Sequence, residues 1–293
     1  MASLPPTTDS PIELRPASAF SVKQLTIIYN QTRVDYLVPM PMNMARMTEY
    51  IQVYDIDLEN SFVAMQDEKM IALGMLGVRE GRAWITRLGV LPGDRRHGLG
   101  LRMMTSLLEA AERKGIQFTM LEVIKNNTPA YKLFLKLGYR DVGNLLVLRR
   151  PPGPPRSYPA GKAAWLSRNE ALTLLDSRSG LPPWTNQNAS QRNAADIYGL
   201  AVTLPDGSSG CLVHQRQRFV MSRFVMQTLS GDPAAVGREL LAQLHNRFFD
   251  LDTQIENIYT DDPHLPAFYE MGYVESFARI EMHRGDAALK DAS

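Results

Sequence analysis

One cysteine, Cys211, stands in 293 residues, so no disulfide can form within the chain, and a reducing cytoplasm is the expected setting. Charge of neither sign is in surplus. The 32 basic and 31 acidic side chains leave a net +1, which gives no overall pull toward nucleic acid, and no nucleic-acid partner is expected. Long hydrophobic runs are missing too: MIALGML is typical of the longest, far short of a membrane span, so no membrane partner is expected. The start, MASLPPTTDSPIEL, has neither the basic region nor the apolar core of a secretory signal. No second His or Cys stands at ligand spacing beside His97, so no metal is expected. What is present is 44% hydrophobic and 22% charged residues, the mix of a soluble globular protein of cytoplasmic type.

The clearest boundary is RRPPGPPRSYPAG, whose five prolines stop a helix and disfavour a central strand. We expect a disordered N-terminus over 1–10, a first domain over 11–150, a proline-rich linker over 151–162, a second domain over 163–286 and a tail over 287–293. Before the linker, IELRPA reads as a strand, followed by two amphipathic helices, SVKQLTIIYNQTRVDY and MNMARMTEYIQVYDID. Strands, helices and turns then give the order β-α-α-β-β-β-α-β-α-β, an α/β fold with a mixed sheet flanked by helices. After the linker, Ser167 with Glu170 three residues on is a capping-box signature, and Asp206-Gly207 marks a hairpin turn. The second half repeats the element order of the first. KLFLKLGYRDV superposes on PAFYEMGYVES with Gly138 on Gly272, and nearly the same shift aligns Leu107-Leu108 with Leu240-Leu241. Duplication accounts for this, although two α/β halves can also share an element order by chance.

LPGDRRHGLG, at residues 91–100, opens the run LRMMTSLLEAAERKG. A phosphate cradle needs backbone N–H groups converging at a helix start, glycines that let the backbone approach an anion, and a permanent positive charge. Arg95, Arg96, His97, Gly98, Leu99 and Gly100 meet these demands, and a soluble strand-to-helix turn would look similar. The Lys-Ser/Thr ending of a nucleotide P-loop is absent, which makes a Mg-nucleotide the poorer fit.

With its context, this loop resembles that of the GNAT superfamily, the acyl-CoA-dependent N-acyltransferases. The family signature Arg/Gln-x-x-Gly-x-Gly/Ala after the fourth strand is matched by Arg95, Gly98 and Gly100. Asn-x-x-Ala, near the start of a helix ending in Gly-Phe/Tyr, is matched by Asn127, Ala130, Gly138 and Tyr139, and Val-x-Pro by Val90-Leu91-Pro92. These motifs cover residues 12 to about 150; the second half carries only the element order and Gly272-Tyr273. The resemblance implies two tandem GNAT-like domains, with acetyl-CoA as co-substrate and an amine acceptor. It implies that amides from Arg96 to Leu101 hold the pyrophosphate of coenzyme A while the arginines steer the phosphates. Leu88, Gly89 and Val90 would then line the pantetheine arm, with Asn127 and Tyr131 at its sulfur end.

Acyl transfer to an amine requires a neutral amine, a stabilised carbonyl oxygen and a tolerated thiolate. A lysine-like amine of pKa about 10.4 is neutral only about once in several thousand molecules at pH 7. Where the family often has a proton-donating tyrosine, four residues after Ala130, this chain has Phe134. Tyr131 is one turn away on nearly the same face, and either substitutes or packs. The fourth strand, AWITRLGVL, lacks the family's frequent glutamate, which leaves Glu122 as base candidate or as an ordinary strand residue. His97 reads as a phosphate contact or surface residue. TRVDYLVPMPMNMARM is either an apolar acceptor wall, with Asp35 and Tyr36 at the acceptor, or a packing loop.

The repeat shift puts Leu229, Asp232 and Ala234 where Arg95, Gly98 and Gly100 stand. A carboxylate in a phosphate site repels its ligand, so the second half is expected to be a degenerate copy. Sequence leaves the oligomeric state open. Beside an N-acetyltransferase stands an acyl-CoA-binding sensor or interaction protein without turnover, motivated by Phe134 and the fourth strand's missing carboxylate. A third class, a nucleic-acid binder through Arg95 and Arg96, lacks an extended basic face.

Overall fold

The computed structural model describes residues 11–286, and the expectations for 1–10 and 287–293 lie outside them. The chain divides into two compact units that are not consecutive stretches of sequence. The first holds residues up to Leu121, Lys132–Tyr139 and the chain from His283; the second holds Glu122–Tyr131 and Arg140–Met282.

In the first unit, β1 (Ile12–Pro16), α1 (Val22–Gln31), α2 (Met44–Val53), β2 (Phe62–Gln66), β3 (Lys69–Arg79) and β4 (Arg82–Val90) lead to α3 (Leu99–Arg113) and β5 (Phe118–Ile124). β1 to β4 form an antiparallel meander in chain order. α1 starts where Ser21 and Gln24 form a reciprocal capping box. β3 is buried from Ile71 through Gly77, which explains its unbroken apolar sequence. α3 buries Leu99, Met103, Met104, Leu107, Leu108 and Ala111, one helical stripe. It lies so close to β3 that a Cβ on Gly74 would meet Leu107 Cδ1 at 2.9 Å. Each fully buried Leu or Met on that stripe contributes about 1.5–3 kcal/mol.

Two features of β4 set up a cleft. Its parallel pairing with β5 is confined to Arg82–Trp84 against Phe118–Met120, while β4 itself runs on to Val90. The β3–β4 register also shifts between Leu73↔Gly89 and Met75↔Thr86, and Arg87 takes a left-handed φ of 54° at that bulge. Leu91 N–H donates to Ile71 O, so by antiparallel alternation residues 89 and 91 face β3 while 88 and 90 face away.

α4 (Thr128–Lys136) and β6 (Arg140–Arg150) follow. β6 belongs to the second unit, because its hydrogen-bonded partner is β11 (Asp252–Tyr259), antiparallel, with Leu148 opposite Ile255. The unit continues through β7 (Lys162–Leu166), α5 (Arg168–Leu174), α6 (Asn188–Asn193), β8 (Ile197–Thr203), β9 (Ser209–Arg216), β10 (Val220–Ser230), α7 (Pro233–Arg247), α8 (Leu265–Glu270) and β12 (Val274–Arg284). Its strands run β12-β6-β11-β10-β9-β8-β7. Glu170 accepts the Ser167 N–H at the start of α5, and Gly207 (φ 88°) turns the β8–β9 hairpin, both as the sequence suggests. β7, at the linker's end, and α6 were not legible in the sequence.

The devices of the first unit recur in the second. β10 pairs with β11 only at Val220–Met221 against Asp252–Thr253, and Arg223 adopts φ 56° at a register shift. α3 and α7 each have 15 residues. Gly138 (φ 86°) ends α4 as Gly272 (φ 90°) ends α8, and each precedes a buried tyrosine packed on a phenylalanine. The ring centroids are 6.1 Å apart for Phe134–Tyr139 and 5.1 Å for Phe268–Tyr273. Among the described residues no helix is long and apolar enough to cross a membrane.

Candidate active site

The loop after β4 enters α3 through two left-handed residues, Arg96 (φ 69°) and Gly98 (φ 78°). Gly98 is the N-cap, and among the described residues no side chain caps the helix. The first helical hydrogen bond runs from Arg102 N–H to Gly98 O, leaving the amides of Leu99, Gly100 and Leu101 at the positive end of a 15-residue helix. Arg96 and His97 are exposed beside it, while the Leu99 side chain is buried and anchors the turn. A Cβ at Gly98 would meet nothing within 4 Å, so this glycine serves the backbone conformation and leaves open space above it.

Arg95 is otherwise engaged. Its guanidinium donates to Val90 O (3.0 Å), to Thr32 O (3.0 Å) and to both oxygens of Asp35 (2.7 and 2.8 Å). The Arg95 hydrogen bond holds the Asp35 carboxyl below the usual carboxylate range. Asp35 and Arg95, assigned by sequence to acceptor and phosphates respectively, thus meet each other and tie the end of α1 to the loop. The segment between α1 and α2 is pinned by Tyr29 OH donating to Met40 O and by Asn30 exchanging hydrogen bonds with Met42. Val34, Leu37 and Met44 project apolar, exposed side chains from it. An open cleft of about 500 Å³ is lined by Ile27, Val34, Met70, Leu91 and Pro92, among others.

Leu88, Gly89 and Val90 lie on the stretch of β4 beyond its β5 pairing. Gly89 is required there, since a Cβ would stand 2.5 Å from Thr32 Oγ1 and 2.8 Å from Thr32 Cβ. Arg33 Nη2 donates to Leu88 O (3.3 Å), and Tyr50 OH bonds Thr86 Oγ1 (2.6 Å). The Arg33 guanidinium lies 4.2 Å from the Tyr29 ring centroid and 5.4 Å from that of Tyr36. Arg87 lies 5.1 Å from the Tyr29 centroid and 4.1 Å from that of Tyr50. This group of two arginines among tyrosines was missed by sequence reasoning, because its members come from α1, the segment after it, α2 and β4.

Phe134, also in the first unit, is buried against Tyr139, whose hydroxyl bonds Thr119 Oγ1 at 2.8 Å. It is a core residue with no proton to give. Tyr131 belongs to the second unit and donates its hydroxyl proton to Asp141 Oδ2 at 3.0 Å, which pushes the phenol above its ordinary pKa. Asn127 starts α4, its Oδ1 accepting from Ala130 N at 3.4 Å and its carbonyl from Tyr131 N. Glu122, half-buried on β5, accepts from Asn257 Nδ2 at 3.5 Å.

At the start of α7 the second unit departs from the first. Asp232 is the N-cap with ordinary extended backbone, and its Oδ2 accepts from Ala235 N at 2.8 Å. A fixed carboxylate thus occupies the position that is bare at α3.

Comparison with known proteins agrees with this geometry. Residues 28–139 match the family model described as acetyltransferase (GNAT) family. The alanine N-acetyltransferase of ribosomal protein bS18 from Escherichia coli K12 is 30% identical over 81 residues, 28% of this chain and 55% of that protein. The chain thus spans about half the length of the curated relatives it matches. Among solved structures, a GCN5-related N-acetyltransferase from Sphaerobacter thermophilus has a TM-score of 0.70 at 15% identity, covering 94% of this chain and 95% of that one. A tandem GNAT protein from the clavulanic acid biosynthesis pathway has a TM-score of 0.68 at 12% identity, covering 94% and 98%. At such identities the likeness shows the fold. The chain is a mixed α/β protein of the GNAT fold, and its residues 28–139 match the GNAT acetyltransferase family model.

Proposed function

We propose that this protein is an N-acetyltransferase that moves an acetyl group from acetyl-CoA to a primary amine of a small molecule or peptide, using the N-terminal domain over residues 11–150. The observation that carries the proposal is the bare N-terminus of α3, entered through left-handed Arg96 and Gly98 directly after a strand that leaves its neighbour. Backbone amides at a helix start bind phosphate oxygens, and coenzyme A presents a pyrophosphate. The amides of Leu99, Gly100 and Leu101 take that role, with Arg96 and His97 as exposed positive or polar neighbours. Arg95 acts one step back, holding the loop to Asp35 and Val90. Leu88 and Val90, which face away from β3, offer N–H groups to the pantetheine amides. Their carbonyls each already accept one bond, from Arg33 and from Arg95.

In the reaction the amine nitrogen bonds to the thioester carbonyl carbon, the C–S bond breaks, and coenzyme A leaves as its thiol after the ammonium proton is passed on. The family motif assigns Asn127 and Tyr131 to the sulfur end, and this reading takes Tyr131 as proton donor and Glu122 as base candidate. The curated relatives bear the name of a ribosomal protein bS18 alanine N-acetyltransferase, which makes a peptide amine one acceptor to test. The second unit is a duplicated and degenerate copy that binds no acyl-CoA, because the Asp232 carboxylate fills its cradle. One domain from 11 to 150 and a second from 163 to 286 remain the proposed repeat, with β6 paired to the second.

A second reading, an acyl-CoA sensor without turnover, is favoured by the buried Phe134 and by the engagement of Tyr131 with Asp141. Thiol release from acetyl-CoA across a panel of amines separates the two. Amine-dependent release supports the enzyme, and binding without release from any amine supports the sensor.

A further inference from the structure

Beyond Met221 and Thr253 the parallel strands β10 and β11 of the second unit stop pairing, as β4 and β5 do beyond Trp84 and Met120. A gap of that kind leaves strand carbonyls that must find other donors. Here the chain itself supplies them. Between α5 and α6 the segment 175–187 returns to the gap, and its short turn Trp184–Asn186 packs against both β10 and β11. Trp184 is fully buried. Asn186 Nδ2 donates to two successive carbonyls of β11, Glu256 O (3.2 Å) and Asn257 O (2.9 Å), at the bulge where Asn257 takes φ 60°. Asn257 Nδ2 donates in turn to Thr185 Oγ1 at 2.9 Å. On the other strand, Gln227 Nε2 donates to Leu174 O at 3.2 Å. Behind the turn, Arg178 Nη1 donates to Asn186 O, Ser190 Oγ to Trp184 O and Asn188 Nδ2 to Leu175 O, each at 2.7 Å.

We propose that the turn Trp184–Asn186 is a built-in occupant of the second unit's coenzyme cleft, lying where the pantetheine arm of an acyl-CoA would lie. The inference rests on the acetyltransferase reading, in which the gap beside β4 takes that arm, and on the duplication. The chemistry of the two occupants matches. Pantetheine brings amide N–H groups to strand backbone, and the Asn186 side chain brings amide N–H to the carbonyls of Glu256 and Asn257. A diffusing ligand has to displace a fully buried tryptophan and hydrogen bonds already made. The resident turn is tethered at both ends and competes at a high effective concentration. Asp232 blocks the phosphate end of the cleft, and the turn closes the strand gap independently of it. The chain thus carries two coenzyme-type clefts, one of them permanently filled from within.

The test is calorimetry of the full chain with acetyl-CoA, read for stoichiometry, with hydrogen exchange beside it. Asp232→Gly alone is expected to leave one site per chain, because the resident turn remains. Asp232→Gly combined with Thr185→Ala and Asn186→Ala, which removes the ties to β11, is expected to add a second site at least tenfold weaker than the first. A second site in Asp232→Gly alone overturns the inference, and so does a single site in a combined variant that keeps its fold. Where the combined variant does not fold, the wild-type chain decides. The Asn186 and Gln187 amides, which donate to Pro183 O and Trp184 O, should exchange about a hundredfold more slowly than free peptide. Exchange at the free-peptide rate overturns the closed cleft. A wild-type chain that takes up no acetyl-CoA contradicts the acetyltransferase reading, and slow exchange at Asn186 then still supports a gap closed by its own turn.

Discussion

Acid is expected to weaken the second unit through two histidines. His214 and His245 are fully buried, and neither ring nitrogen of His214 has a hydrogen-bond partner among the described residues. His245 shares a hydrogen bond with Tyr273 OH at 2.8 Å. Burial first, then the charge of Arg216 on His214 and of Arg150 on His245, pushes both down to about 3 from the ordinary 6.5. Above pH 6.5 folded and unfolded chains are both neutral at these sites, so stability is independent of pH there. Below it the unfolded chain takes up protons that the folded chain refuses, and stability falls until the pH nears 3. Between pH 7 and pH 5 this linkage amounts to about 2 kcal/mol for each histidine, about 4 for the pair. The assay is urea unfolding at the two pH values in wild type and in His214→Phe, whose ring fits among Tyr198 and Phe224. The variant should lose about 2 kcal/mol of the pH dependence, and its stability at pH 7 should hold or rise because two buried polar atoms are removed. An identical pH dependence in both proteins, or stability that increases on acidification, would refute the reasoning.

Gly98→Asp should weaken acetyl-CoA binding at least tenfold by calorimetry, since it puts a carboxylate where Asp232 stands in the second unit; the left-handed backbone costs about 1–2 kcal/mol in a melting experiment. Gly89→Ala should cost about 1–3 kcal/mol by urea unfolding, because its methyl group must displace Thr32 from a 2.5 Å approach. Tyr131→Phe should lower kcat without changing the affinity for acetyl-CoA if its hydroxyl protonates the thiolate. An unchanged kcat assigns the hydroxyl to Asp141 alone.

The parts legible in the sequence are those written in short-range backbone chemistry. Gly98 before an apolar stripe, Gly138 and Gly272 before tyrosines, and Glu170 after Ser167 each dictate a conformation within a few residues of themselves. Asp232 was reached through the repeat shift, as a carboxylate at the counterpart of Gly98, and its role as the N-cap of α7 comes from the structure. What stayed hidden depends on distant partners. Arg95 looks like a phosphate ligand until Asp35, 60 residues away, proves to hold it. Arg33 drew no reading from the sequence, because the carbonyl that accepts its hydrogen bond, Leu88 O, lies 55 residues on. The alternation of β6 reveals a strand but not that its neighbour is β11, since one apolar strand pairs as readily as another before tertiary packing selects it. β7 went unread because the prolines just before it mask five residues of ordinary edge strand.

On the proposed reading one helix start, at α3, holds acetyl-CoA and its counterpart at α7 does not. Calorimetric titration of the full chain with acetyl-CoA, read for stoichiometry, distinguishes the two. One site per chain, lost in Gly98→Asp and retained in Asp232→Gly, is the predicted result. Two sites, or one that survives Gly98→Asp, would contradict it.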